Sequence, residues 1–152
     1  MLKLGKYTFK EDLTTRESNF MFFPAEDGEP ASWSVDCSFI EGKYGEEEIY
    51  PAVCINPIET KASSVEELVG ESFCVNSVEE CEEREDLFTI CEMYPMCRYQ
   101  IDVLEISGNK AHVKCSGTAI VEEFDEETKT EDFELDVWLP IIVDADDWGD
   151  LN

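Results

Sequence analysis

Positive charge is scarce in this chain. Eleven Lys and Arg stand against 37 Asp and Glu, a formal net charge of −26 on 152 residues. No basic stripe exists to neutralise phosphates, which excludes direct nucleic-acid binding, and the same field repels anionic membranes. Histidine is nearly missing as well: His112 is the only one. A general base of the usual kind therefore has one candidate, with Glu105 placed to orient it, and no motif sets a Ser or Cys beside it as nucleophile. Phosphate-cradling loops are absent, because Gly42-x-x-Gly45 lacks the lysine and the strand-to-helix setting such a loop needs. No apolar run approaches the ~20 residues that span a bilayer. The opening MLKLGKYTFK has basic residues but no apolar h-region, so the chain is expected to be cytoplasmic.

Cysteine is present without a pattern. The seven thiols at 37, 54, 74, 81, 91, 97 and 115 are odd in number and contain no Cys-x-x-Cys. A disulfide framework favours even counts, and structural zinc sites favour close pairs, so neither is expected. Cys37, Cys54, Cys74, Cys91 and Cys115 fall in apolar β-like runs, which predicts reduced, mostly buried thiols. Cys81, in a charged run, and Cys97, beside Pro95 and Arg98, are the two expected at the surface. No cofactor and no metal are expected.

What remains is ordinary core material. Hydrophobic residues make up 43% of the chain, with nine Phe, five Tyr and three Trp. That suffices for one core, so residues 1–143 read as a single globular domain and 144–152 as an acidic tail. The acidity thus belongs to a folded body and not to a disordered tract.

Period-2 alternation marks strands near residues 7–9, 20–23, 33–40, 49–58, 73–78, 87–93, 99–106, 111–124 and 133–142. Gly108-Asn109 suits a two-residue hairpin turn. A register centred there pairs Ile106 with Ala111, Leu104 with Val113 and Asp102 with Cys115. On the other face, Glu105 meets His112 and Val103 meets Lys114. The strand then turns through 125–130 and returns from Phe133, completing a three-stranded meander. Ser64-Val65-Glu66-Glu67 is a capping box and predicts one short helix near residues 64–70. A second match, Ser77-Val78-Glu79-Glu80, opens a run of like charges that disfavours a helix, so a loop with some helical turn is expected there. The fold class is mainly β (α+β): a strongly bent antiparallel sheet or small barrel.

Acidic residues cluster in four places. These are Glu46-Glu47-Glu48; Glu79, Glu80, Glu82, Glu83, Glu85 and Asp86; the stretch 122–127; and the tail with Asp144, Asp146, Asp147 and Trp148. The tail fails as an EF-hand loop, because Trp148 takes the fifth position, where an oxygen ligand belongs. A charge this far beyond the magnitude of about 2–8 that keeps a small domain soluble suggests a retained function. The expected function is non-enzymatic capture of a basic protein partner, as by an immunity protein or a DNA-mimicking inhibitor. The first, second and fourth clusters are its candidate contacts. The alternative is a small-molecule- or metal-binding β-barrel, or a small enzyme, with an interior pocket.

Overall fold

The computed structural model describes residues 1–124 and 127–143. Its elements are β1 (Leu2–Leu4), β2 (Tyr7–Phe9), β3 (Asn19–Phe23), β4 (Ala31–Ser38), β5 (Gly42–Tyr44), β6 (Glu47–Ile49) and β7 (Ala52–Thr60). They continue through β8 (Ser72–Val75), α1 (Val78–Arg84), β9 (Leu87–Thr89), β10 (Met93–Ser107), β11 (Lys110–Phe124) and β12 (Glu127–Ile142), with a 3-10 turn at Glu66–Leu68. The mainly β expectation holds, and the sheet is a closed barrel of seven strands. Around the barrel the order is β11-β10-β9-β7-β4-β3-β12, and β12 pairs again with β11. All these pairings are antiparallel except the closure, where β12 runs parallel to β3 with Ile141 opposite Phe20.

The meander β10–β11–β12 forms one side of the barrel with strands longer than the alternation suggested. Pairing of β11 with β12 extends to Phe124 opposite Glu127, so the returning strand begins within the polar stretch expected to turn. Glu122 and Lys129 face each other there, and their side chains make an ion pair at 3.3 Å. Near the other hairpin, Ile106–Ala111 and Glu105–His112 pair as expected. The register then shifts by one at Leu104. Val103 meets Val113, Asp102 meets Lys114 and Ile101 meets Cys115. The reason is burial. An unbroken register would turn Asp102 inward beside Cys115. The bulge brings Ile101 and Val103 into the core and leaves Leu104 outside, 43% exposed.

Two helical expectations change places. The segment near 64–70 contains only the 3-10 turn, and Glu67 accepts from the Ser63 N–H instead of completing a box with Ser64. The charged run is the α-helix. Ser77 Oγ accepts from the Glu80 N–H at 3.2 Å, and Glu85, at φ 60°, ends it. Repulsion among its glutamates is relieved because Glu79, Glu80, Glu82 and Glu83 point into water while Cys81 alone is buried.

Inside the barrel, aromatic rings pack both across the interior and between neighbouring strands. Phe88 of β9 and Phe133 of β12 lie 5.0 Å apart, and Phe20 stacks on Trp33 at 5.5 Å. Aromatic side chains thus occupy part of the interior. Among the described residues no helix is long and apolar enough to cross a membrane.

Candidate functional site

The candidate contacts divide three ways. Asp144, Asp146, Asp147 and Trp148 lie outside the described residues. Asp86 is a correction: its side chain is fully buried, so it presents nothing to a partner. Asp86 Oδ1 accepts from the Asn56 N–H at 2.8 Å, and Oδ2 accepts from Arg84 Nε at 2.7 Å and from the Tyr99 hydroxyl at 2.5 Å. Three donors compensate its desolvation, which makes it a clamp between α1, β7 and β10. Glu46, Glu47, Glu48, Glu79, Glu80, Glu82, Glu83 and Glu85 are exposed.

Tertiary structure brings several of these together. The β5–β6 hairpin stands beside the barrel as a separate ribbon, turning at Gly45 with φ +67°. Gly42 packs so closely on Phe9 that a Cβ would sit 2.8 Å from the ring, and Ile49 is buried. Tyr44 stands edge-on to Tyr7, with centroids 5.1 Å apart, and donates to Glu131 Oε2 at 3.2 Å. Between this ribbon, the β9–β10 turn and the far end of β11–β12 lies a cleft of about 700 Å³. Glu46, Glu47, Glu92 and Glu122 line it with Tyr7, Tyr44 and Tyr94, against a single ammonium, Lys129. On the other side of the same hairpin end, Glu79 and Glu82 of α1 border a second hollow with Ile120 and Thr128. Three acidic stretches thus converge on the tip of the long β11–β12 hairpin.

The lining of the cleft is dominated by carboxylates and phenols. Tyr94 donates to Glu92 Oε2 at 2.9 Å, and the Cys91 thiol donates to Glu47 Oε2 at 3.7 Å. Burial, reinforced by Glu131, pushes the Tyr44 hydroxyl up to about 12, so it stays neutral. Burial and then the Glu47 charge raise the Cys91 thiol, which works against its use as a nucleophile. Among the described residues no group of three or more His, Cys, Asp or Glu is arranged to hold a metal.

His112 stands elsewhere. It pairs in register with Glu105, yet its Nε2 bonds Asp136 Oδ1 at 2.6 Å, and its ring stacks on Trp138 at 4.7 Å. No nucleophile joins it among these contacts. The thiols also redistribute: all seven are free, but the exposed ones are Cys74 and Cys91, while Cys81 is buried and Cys97 half-buried. Cys81 faces the barrel because it lies on the inner side of a helix that the charge pattern argued against. Sequence reasoning missed Glu92 and the three tyrosines, which no local spacing connects to Glu46. No protein-family model, curated protein or solved structure matches the chain.

Proposed function

We propose that this protein is a non-enzymatic binding module whose acidic face captures a basic segment of a partner protein, in the manner of an immunity protein or a DNA-mimicking inhibitor. The observation that carries this reading is the cleft in which four carboxylates and three tyrosines surround one lysine. A Lys or Arg side chain entering it meets both opposite charge and aromatic faces, and a desolvated cation–π contact is worth about 2 kcal/mol. The net charge of −26 extends the attraction beyond the contact itself and speeds encounter.

The test is stopped-flow association with a fluorescent peptide rich in arginine and lysine. Association is expected to slow steeply as salt rises from about 0.01 M to about 0.15 M, where the Debye length falls from ~30 Å to ~8 Å. Changing Glu46, Glu47 and Glu92 to Gln should slow association and speed dissociation. Changing Glu79, Glu80, Glu82, Glu83 and Glu85 to Gln should mainly slow association. Affinity indifferent to both salt and these substitutions would overturn the reading.

A further inference from the structure

The outer face of β3–β4–β7–β9 carries a second concavity, of about 650 Å³. Its floor is a row of residues set side by side by strand pairing. Asn19 stands opposite Asp36, Asp36 opposite Cys54, and Cys54 opposite Leu87. Met21 and Met93 add apolar walls. This face is not polar in the way an ordinary solvated barrel exterior is, and two of its groups lack adequate partners.

Asn19 is only 3% exposed. Its Nδ2 donates to the Arg16 carbonyl at 2.8 Å, which fixes the orientation of the amide. Its Oδ1 is buried and accepts from nothing in the protein, alone in this among the described side chains. A buried acceptor left in that state is destabilising and calls for an explanation. Directly across the strand pair, the half-buried Asp36 carboxyl stands opposite the Cys54 thiol on its other side, and among the described residues it makes no ion pair. Opposed residues in an antiparallel pair hold their Cβ atoms about 4.5–5.5 Å apart. One donor group with several N–H bonds and a positive charge can therefore serve both oxygens.

We infer that this groove binds a small organic amine, whose ammonium bridges Asn19 Oδ1 and the Asp36 carboxylate while its apolar body lies on Leu87, Met21 and Met93. The ammonium carries three donors and no acceptor, which suits the two acceptors and the thiol on the floor, while Arg16 and Glu17, one charge of each sign, border the groove. The volume lies within the ~300–1,000 Å³ usual for small-molecule sites. The site is separate from the acidic cleft and does not depend on it.

Amide chemical shifts of the intact chain, titrated with 2-phenylethylammonium chloride, test the inference. Saturable shifts are expected at Asn19, Met21, Asp36 and Leu87, and they should persist at about 0.3 M salt, where exposed charges are screened. The neutral isostere 2-phenylethanol and the anion 3-phenylpropanoate should bind at least tenfold more weakly. Asp36→Asn should weaken the amine about tenfold. Met93→Lys, at a position already 68% exposed, should abolish binding by placing a tethered ammonium in the groove while leaving the remaining amide spectrum unchanged. Four results would overturn the inference: no saturable shift at the groove, equal binding of the alcohol or the anion, shifts confined to the Glu46 cleft, or full binding by the Met93→Lys protein.

Discussion

The Tyr99 hydroxyl donates to the buried carboxylate of Asp86, joining the middle of β10 to the second residue after α1. Arg84 completes the arrangement. Its guanidinium bonds the same carboxylate, donates to the Asn56 and Pro57 carbonyls, and covers the Phe73 ring at 4.9 Å. Helix, barrel wall and outer strand are thereby tied at one point.

Breaking that point should be costly. Asp86→Ala leaves Arg84 Nε, the Tyr99 hydroxyl and the Asn56 N–H without their acceptor, and loss of one partner from a buried pair costs about 3–5 kcal/mol. Tyr99→Phe removes one donor of three and should cost about 1–3 kcal/mol. Urea unfolding midpoints measure both. A stability of Asp86→Ala equal to that of the parent would remove Asp86 from its role as clamp.

Thiol labelling should be selective. With iodoacetamide at neutral pH, mass mapping is expected to find adducts first at Cys74 and Cys91, the two exposed positions. Burial pushes Cys37 and Cys81 up to about 12, and Cys54 likewise, with Asp36 adding to it, so these should remain unmodified in the native protein. Glu47→Gln should accelerate Cys91 alone, because the carboxylate that disfavours its thiolate is gone. Simultaneous labelling of all seven would refute the burial pattern.

Gly117 has no room for a side chain. A Cβ there would lie 2.2 Å from the Arg98 carbonyl oxygen and 2.9 Å from Tyr99 Cβ, on the strand paired with it. Gly117→Ala must push β10 from β11 and should cost about 1–3 kcal/mol, as overpacking does. An alanine variant as stable as the parent would show that the two strands separate freely.

Asp36 makes stability depend on pH in the direction opposite to a salt-bridged carboxylate. Burial raises its pKa in the folded state, and the Cys54 thiol opposes this only in part. The folded protein then binds this proton more tightly than the unfolded chain, so stability falls as pH rises from the unfolded value through the folded one. Asp36→Asn should therefore raise the urea midpoint at pH 7 and leave it unchanged near pH 3, where both side chains are neutral. An equal effect at the two pH values would contradict the assignment. A group that lowers stability at neutral pH on a half-buried face is consistent with retention for binding.

Salt should stabilise the fold even without a partner. With 37 acidic and 11 basic residues, self-repulsion opposes compaction, and screening relieves it. The melting temperature is expected to rise by several degrees between about 0.01 M and about 0.15 M sodium chloride. A flat response would mean that the charges are spaced widely enough to ignore one another.

The sequence by itself determined the β character, the hairpin at Gly108-Asn109, the meander and the acidity, because alternation, turn chemistry and charge are carried by neighbours along the chain. Even the helix was written there, in the capping pair Ser77 and Glu80, although the glutamates beside it argued the other way. Tertiary structure decided the rest. The bulge at Leu104 answers to the burial of Ile101 and Val103 against β11. Asp86 is interior because Asn56 and Tyr99, 30 and 13 residues away, supply its hydrogen bonds. Glu46 and Glu122 share a cleft only because the β5–β6 ribbon folds onto the end of β11–β12. Residues that local spacing treats as independent become one site when the barrel closes, and closure depends on which strand edges find each other, here β3 with β12 in parallel.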